Sequence, residues 1–278
     1  MGIFDWLKTN NNIEDDNGLN KIYYENGKGR LEKEGNKKDG EKDGLWKYYH
    51  ENGQLQQEGE YLNGKQNGYF KIYNDNGQLR NEGSIKDEYK MGHWKLYDDN
   101  GQLRNEGSFI NDKRDGLWKE YGLNGEIEGE NYWNNNQKNG VEKWYYETGE
   151  IEIEGKYKND KQHGLWKSYY KNGKLKQEFM WENHQKVGGF KIFDENGKLR
   201  REGDYVNNKL NGLCKFYFED GTLEKEGNFL NDKKEGEWRE EFSNKTEKKL
   251  TKITSYVNDK IEGLKFIDEN GIEITPND

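Results

Sequence analysis

The sequence of 278 residues combines few apolar side chains with many charges and many glycines. Hydrophobic residues make up 29% of the chain, Asp, Glu, Lys and Arg make up 36%, and alanine is absent. The 35 glycines and the missing alanine argue against a helical protein, because glycine is costly and alanine favourable inside helices. The formal net charge of −9 comes from finely interleaved acids and bases, which argues against nucleic acid binding.

The N-terminal segment and the single cysteine bear on location. Residues 1–17 are expected to be a short helix or irregular, and Asp5 interrupts an apolar run that lacks the basic start of a signal peptide. Cys214 alone cannot build a disulfide framework and fits a reducing compartment. No stretch approaches the roughly 20 apolar residues of a membrane span. We therefore expect a cytoplasmic protein without membrane insertion.

Glycine then recurs every 24 residues, which marks a repeat. The marker glycines are Gly44, Gly68, Gly92, Gly116, Gly140, Gly164, Gly188, Gly212 and Gly236. A first unit begins at Gly18 and a final partial unit at Gly263, so residues 18–278 are expected to form the repeat array. Periods of about 20 to 50 residues are typical of solenoids and arrays.

Nine residues into most units comes an Asn-Gly pair, first at Asn52-Gly53. Asn-Gly between short alternating runs predicts a hairpin, because both residues tolerate the positive φ of a type I′ turn. A two-residue turn sets Lys47 opposite Glu58, and a base meets an acid in the same way in every complete unit. A three-residue loop would set Lys47 against Gln57 without complementarity, so we predict the two-residue turn.

The same register predicts two different faces. Trp46 lies opposite Gly59, and a ring over a strand glycine is a known way to pin strand register. Leu55 and Tyr61 are predicted to share this apolar face. The other face carries the Lys and Glu ladders with one aromatic residue per unit, at Tyr49, Tyr73, Tyr97, Tyr121, Tyr145, Tyr169, Phe193 and Tyr217.

These patterns predict an all-β fold. We expect an elongated, twisted single meander sheet of about ten tandem 24-residue β-hairpin repeats. Polar capping units are expected at both ends, where residues 37–39 replace an aromatic position and a charged insertion near Lys248 interrupts the last repeat.

The repeat unit also resembles a known family. Asp43-Gly44-Leu45-Trp46-Lys47-Tyr48-Tyr49, then Glu51-Asn52-Gly53-Gln54-Leu55, then Glu58-Gly59-Glu60-Tyr61 resemble the MORN-repeat variant of bacterial YwqK-like proteins, and the likeness covers residues 18–275. The resemblance implies a repeat fold and a role as an antitoxin or immunity-type partner of a toxin. Related MORN repeats act as scaffolds or contact lipid. None of this names a site in the chain.

Catalytic and metal-binding chemistry finds little support in the sequence. The four histidines, His50, His93, His163 and His184, lie far apart without metal-ligand spacing. Cys214 replaces an aromatic on the apolar face and is interpreted as a small buried hydrophobe. We therefore expect no catalytic residue, no metal and no cofactor, and a protein that is not an enzyme.

Departures from the repeat are the remaining candidates for function, and they cluster in the middle of the chain. Glu142 stands at the repeat position that Trp46 occupies, and Phe179 stands at the position of the strand glycine Gly59. The candidate partner-binding residues are Trp118, Trp133, Glu142, Trp144, Phe179 and Trp181. One interpretation is an exposed anchor patch, since Trp and Tyr are favoured at interfaces, and the other is repacking at a bend.

The leading expectation is a non-catalytic protein-binding protein whose partner is a toxin. A scaffold or adaptor for protein assembly is the first alternative. A module that binds a glycan or a lipid headgroup through the tyrosine ladder is the second.

Overall fold

The computed structural model describes residues 12–25, 29–243 and 249–275. The chain divides into two compact units, Met1–Gln137 and Lys138–Asp278. Every regular element in the described residues is a β-strand, so the predicted all-β fold of tandem hairpins is confirmed. The described part of the N-terminal segment is irregular, with an isolated bridge between Ile13 and Lys21.

Ten strands belong to the first unit, and each pairs antiparallel with the next strand along the chain. They are β1 (Leu19–Tyr23), β2 (Leu31–Lys38), β3 (Glu41–Tyr49), β4 (Leu55–Leu62), β5 (Lys65–Tyr73), β6 (Leu79–Lys86), β7 (Tyr89–Tyr97), β8 (Leu103–Ile110), β9 (Lys113–Tyr121) and β10 (Ile127–Asn134).

Within the second unit, neighbouring strands also pair antiparallel. Its strands are β11 (Gln137–Tyr145), β12 (Ile151–Lys158), β13 (Lys161–Tyr169), β14 (Leu175–Glu182), β15 (Gln185–Phe193), β16 (Leu199–Val206), β17 (Lys209–Leu210), β18 (Gly212–Tyr217), β19 (Leu223–Leu230), β20 (Lys233–Ser243), β21 (Lys249–Val257), β22 (Lys260–Ile267) and β23 (Glu273–Ile274). β17 and β18 lie end to end along the same side of β16, and both pair with it.

The turn inside each repeat differs from the prediction. His50 N–H donates to Gln54 O, and Gly53 N–H donates to His50 O, both at 2.8 Å. Gly53 has a φ of 88°, whereas Asn52 is not in the positive-φ region. This is a three-residue loop, in which a type I turn is followed by a left-handed glycine. The predicted two-residue type I′ turn is therefore wrong.

The predicted strand register is nevertheless confirmed. Tyr49 pairs with Leu55 and Tyr48 with Gln57, so Gln56 is an extra residue, and beyond this bulge Lys47 pairs with Glu58. The loop and the bulge together restore the pairing that a two-residue turn would give. Because Leu55 is opposite Tyr49, these side chains share a face. The prediction that Leu55 lies with the rings is wrong.

Type I′ turns do occur, but between repeats. Asn63 and Gly64, with φ of 48° and 77°, join the paired residues Leu62 and Lys65. After this turn the pairing moves from Tyr61 with Gln66 to Gly59 with Phe70, so three residues of β5 lie opposite one residue of β4. The marker glycine Gly68 lies in this bulge, and most marker glycines there have φ of 61° to 81°. Glycine recurs because few other residues adopt this backbone.

In most repeats a ring lies over a glycine of the preceding strand. Trp46 pairs with both Gly35 and Gly59, as the predicted register requires for Gly59. The ring covers Gly35, where an added Cβ would lie 2.4 Å from the indole. Trp46 Nε1 also donates to Asn36 O at 2.8 Å. The ring-over-glycine contact therefore joins one repeat to the repeat before it.

The rings form the core of each unit. The buried ring-position residues are Trp46, Phe70, Trp94 and Trp118 in the first unit, and Trp166, Phe190 and Trp238 in the second. Tyr61, Ile85 and Phe109 complete the cluster of the first unit. Cys214 takes a ring position in β18 and is buried beside Phe190, as predicted.

The first repeat is capped by a polar side chain. Asn20 stands in the ring position and is fully buried. Its amide donates to Asp15 O at 2.7 Å and to Gly18 O at 2.9 Å, and its Oδ1 accepts from Asp15 N–H. The insertion near Lys248 lies outside the described residues. Beyond it, β22 exposes Ile261 and Leu264.

Candidate functional site

The face opposite the rings carries an unbroken charge row in each unit, and we call it the ladder face. In the first unit the paired residues are Lys21, Glu34, Lys47, Glu58, Lys71, Glu82, Lys95, Glu106, Lys119 and Glu130. In the second unit the row includes Glu154, Lys167, Glu178, Lys191, Glu202, Lys215, Glu226 and Arg239. Every base of the row is therefore opposite an acid.

Tyrosine hydroxyls, more than lysines, bind the carboxylates of this row. Tyr73 donates to Glu58 at 3.0 Å and Tyr97 to Glu82 at 2.6 Å. The same bond joins Tyr49 to Glu34, Tyr121 to Glu106, Tyr169 to Glu154 and Tyr217 to Glu202. By contrast, Lys215 approaches Glu226 only to 3.9 Å. The predicted ladder is thus held by hydrogen bonds that reach 15 residues along the chain.

These bonds make stability sensitive to alkaline pH. Desolvation first, and then the bonded carboxylate, raise the pKa to about 12 at Tyr49, Tyr73, Tyr121, Tyr169 and Tyr217. The unfolded chain ionises its tyrosines near the ordinary pKa of 10.0. The stabilisation is therefore complete below pH 10 and is lost as the pH rises toward 12.

The free energy of unfolding, measured by chemical denaturation between pH 8 and pH 12, should be constant up to about pH 10 and should fall from there toward about pH 12. The part of the near-ultraviolet tyrosinate absorbance that these five ladder tyrosines contribute should rise only as the protein unfolds. The variant Tyr73→Phe removes one titrating group, so its stability should fall less steeply with pH. Ionisation of these tyrosines near pH 10 in the folded protein would contradict the assignment.

A second row of the ladder face follows the marker glycines and is exposed. Leu45 and Tyr69 are 50% and 49% exposed in the first unit, and His93 follows them. In the second unit Leu165 and Leu213 are 42% and 43% exposed. Apolar side chains beside a charged ladder give each unit a surface of mixed chemistry, as protein interfaces have.

This row is interrupted at Gly189, where the second unit has a depression of about 390 Å³. Its lining includes the side chains of Glu178, Lys191, Glu202, Asp204, Leu213 and Lys215. Gly189 pairs with Asp204, and a Cβ added at Gly189 would meet only Asp204 Oδ1, at 3.9 Å. The depression exists because a side chain is missing from an otherwise regular row.

One carboxylate of the depression differs from the rest of the ladder. Tyr169 and Tyr217 bind Glu154 and Glu202, each 15 residues earlier. The residue that would bind Glu178 in this way is Phe193, which has no hydroxyl. Glu178 is half-buried between Lys167 and Lys191, and neither lysine forms an ion pair with it within the described residues.

The two predicted partner-binding residues of the first unit lie on the ring face. Trp118 is 1% exposed, and its Nε1 donates to Ser108 O at 3.0 Å. Trp133 is half-buried and packs on the same cluster. The guanidinium of Arg114 lies over both rings, at 4.5 Å and 5.0 Å. Trp118 therefore serves the core and offers no surface to a partner.

Two predicted residues of the second unit lie on β11. Glu142 is buried, and Lys138 Nζ donates to it at 2.5 Å. Desolvation, followed by the charge of Glu142 and a hydrogen bond to it, raises the pKa of Tyr157 to about 12. Trp144 is half-buried and pairs with Ile153. Glu142 therefore belongs to an internal polar cluster.

The last two predicted residues, Phe179 and Trp181, pack around Lys186. Phe179 is buried and stacks on Phe190 with ring centroids 5.5 Å apart. Lys186 Nζ lies 4.1 Å from the Phe179 ring and 5.6 Å from the Trp181 ring. Desolvation lowers the pKa of this lysine. Trp181 is half-buried, so these residues repack the core around the missing glycine.

Three of the four histidines make bonds with neighbouring strands or turns. A ring nitrogen of His50 lies 3.2 Å from Tyr73 O, and one of His93 lies 3.2 Å from Glu106. His184 Nδ1 accepts from Gln162 N–H. Within the described ranges, no group of three His, Cys, Asp or Glu residues is placed to hold a metal ion. The same ranges contain no helix with the length and apolar character of a membrane span.

Comparison with protein families identifies the repeat. The model of the MORN repeat variant matches nine segments, residues 16–35, 42–63, 66–87, 92–111, 114–135, 138–159, 162–183, 186–207 and 210–231. The chain belongs to the MORN repeat variant family. A MORN repeat model also matches residues 58–69. Each segment that matches the MORN repeat variant covers one of the β-hairpins described above. Such repeats are typical of binding proteins.

Comparisons with individual proteins add little to the family. No curated protein matches the chain. Among solved structures, the chain is similar to the crystal structure of TcdB2-TccC3 without hypervariable C-terminal region, with 12% identity and a TM-score of 0.20. The match covers 95% of this chain and 14% of that one.

Proposed function

We propose that this MORN repeat variant protein binds another protein through its ladder face and acts without catalysis. The observation that carries the proposal is the exposed row after the marker glycines, where Leu45, Tyr69, Leu165 and Leu213 are 42% to 50% exposed beside alternating charges. Exposed apolar side chains within a polar surface favour a partner interface. The free, buried Cys214 is consistent with action in the reducing cytoplasm.

We further propose that the partner is a bacterial toxin and that the protein is its antitoxin or immunity protein. The support is the resemblance of the repeat to YwqK-like proteins. Co-expression with the toxic product of a neighbouring gene tests this role. We expect rescue of growth and a complex on gel filtration. Unchanged killing together with separate elution of the two proteins would refute it.

A scaffold for protein assembly is the second candidate, and the regularity of the ladder favours it. A scaffold spreads its contacts over many repeats, so deletion of one 24-residue repeat should weaken binding by degrees. A localised toxin site should instead lose binding abruptly when its own repeat is removed. Affinity measured for a series of single-repeat deletions separates the two.

A glycan or lipid-headgroup module is the third candidate. Its proposed surface is the tyrosine ladder, where hydroxyls such as that of Tyr73 already bind carboxylates of the protein. Because these hydroxyls are already bonded, a ligand would contact the tyrosines by stacking on their rings. Glycan arrays and liposome sedimentation test it, and binding that survives Tyr73→Phe and Tyr97→Phe would support stacking.

A further inference from the structure

We infer that the depression at Gly189 receives an arginine side chain of the protein partner. The inference rests on the proposed protein-binding function and adds a site and a chemistry to it. Three features coincide there within one unit: the missing side chain of Gly189, the missing hydroxyl of Phe193, and a lining in which three carboxylates outnumber two ammonium groups.

The shape of the depression follows from the repeat. Leu165 and Leu213 occupy the position of Gly189 in the neighbouring repeats, and both are exposed. Replacing this side chain by hydrogen opens the ladder face down to the backbone of β15. An added Cβ would meet only Asp204 Oδ1, at 3.9 Å, so close packing does not explain the glycine. Its φ also lies outside the left-handed region, so backbone conformation does not require it.

The charges around the depression favour a cation. In the lining, Glu178, Glu202 and Asp204 contribute three carboxylates against the two ammonium groups of Lys191 and Lys215, and Lys167 flanks Glu178 on β13 without an ion pair to it. Lys215 lies 3.9 Å from Glu226, on the strand beyond, and Lys191 is exposed, so its head group has room to move away. The chain as a whole carries a formal net charge of −9, which also favours a basic partner.

Glu178 lacks the hydrogen bond from a tyrosine that most ladder carboxylates accept, so its oxygens can accept hydrogen bonds from a partner. In the equivalent positions Glu154 and Glu202 accept a hydrogen bond from a tyrosine at 2.6 Å and 2.7 Å. Phe193 cannot supply that bond to Glu178. A guanidinium presents five N–H donors in a planar fork, so it can bind Glu178 and reach a second carboxylate together. The aliphatic stem of an arginine would lie against Leu213.

The test uses two variants that restore the repeat. Gly189→Leu introduces the residue found at Leu165 and Leu213, and Phe193→Tyr introduces the residue found at Tyr169 and Tyr217. Because each replacement already exists in a neighbouring repeat, we expect both variants to fold. Thermal unfolding checks this, and Phe193→Tyr should gain stability through its new bond to Glu178.

Binding is measured by NMR titration of the full chain with N-acetyl-arginine amide. We expect localised shifts at the amides of Gly189, Lys191 and Asp204, and a loss of affinity on the order of tenfold in Gly189→Leu. Phe193→Tyr should weaken binding by a smaller factor. The control Tyr169→Phe removes the hydrogen bond to Glu154 but keeps Leu165 at the repeat position that Gly189 occupies. No depression opens there, so N-acetyl-arginine amide should gain no second binding site in this variant.

Several results would overturn the inference. Absence of localised shifts would do so, and so would equal affinity in Gly189→Leu or equal binding of the neutral N-acetyl-glutamine amide. N-acetyl-lysine amide should bind more weakly, and tighter binding of lysine would refute the bidentate contact. A protein partner that binds Gly189→Leu as tightly as the original chain would refute this site while leaving the proposed function intact.

Discussion

Gly59→Ala should lower the free energy of unfolding by about 3 kcal/mol. The added Cβ would lie 2.1 Å from Cδ1 of the Phe70 ring, far inside contact distance. Phe70 is fully buried and packs edge-on against Tyr61 at 5.7 Å, so its ring has no free space to enter. Relief requires the contact between consecutive repeats to open. Denaturant unfolding followed by tryptophan fluorescence measures the change.

The matched control is Gly189→Ala. This glycine is also in a strand, but its added Cβ would lie 3.9 Å from its nearest neighbour, Asp204 Oδ1. We expect a change within about 0.5 kcal/mol. Equal destabilisation by the two substitutions would mean that loss of glycine itself, and not the covering ring, sets the cost.

Trp94→Ala should cost about 4 kcal/mol, as expected for a large ring removed from a core. Trp94 is fully buried over Gly83, where an added Cβ would lie 2.3 Å from the indole. Its Nε1 donates to Ser84 O at 3.0 Å, and that carbonyl would lose its partner. Lys90 Nζ, now 4.6 Å from the ring centroid, would lose the ring that it covers.

Trp94→Phe separates packing from hydrogen bonding. Phe70 and Phe190 occupy the same position in other repeats and are buried there, so a phenyl ring fits the site. We expect a cost of about 1 kcal/mol, chiefly for the bond to Ser84 O. A loss as large as that of Trp94→Ala would show that the indole bond, and not ring burial, joins the repeats.

The strand register could be predicted from the sequence, whereas the loop could not. Opposite charges at Lys47 and Glu58 identify which residues are paired, because cross-strand pairs have to be compatible. Two chain paths give that same pairing: a two-residue turn, or a three-residue loop with Gln56 bulged out. Only hydrogen bonds such as Gly53 N–H to His50 O distinguish them.

The direction of each ring also required the structure. Trp46 has a glycine opposite it on both neighbouring strands, Gly35 and Gly59, so the pairing pattern is symmetrical. The indole turns toward Gly35 and bonds to Asn36 O. Spacing along the chain does not reveal this direction, because the glycines on the two sides are equivalent in the pairing pattern.

The exceptions to the repeat can be identified from the sequence, but the exposure of their side chains cannot. Trp118, Glu142 and Phe179 are all buried, since a bulky or charged exception can be absorbed by its neighbours, as Lys138 does for Glu142. Gly189 was not among the predicted site residues, although Leu165 and Leu213 mark its position in the repeat.

By itself, then, the sequence determined the strands, their order in each unit and the pairing of Lys47 with Glu58, because a period of 24 residues and alternation along strands are local properties. The tertiary structure decided which side chains reach solvent and where the ladder face opens. The depression at Gly189 depends on side chains from β14, β15, β16 and β18. Such a surface forms only when separate strands are placed side by side.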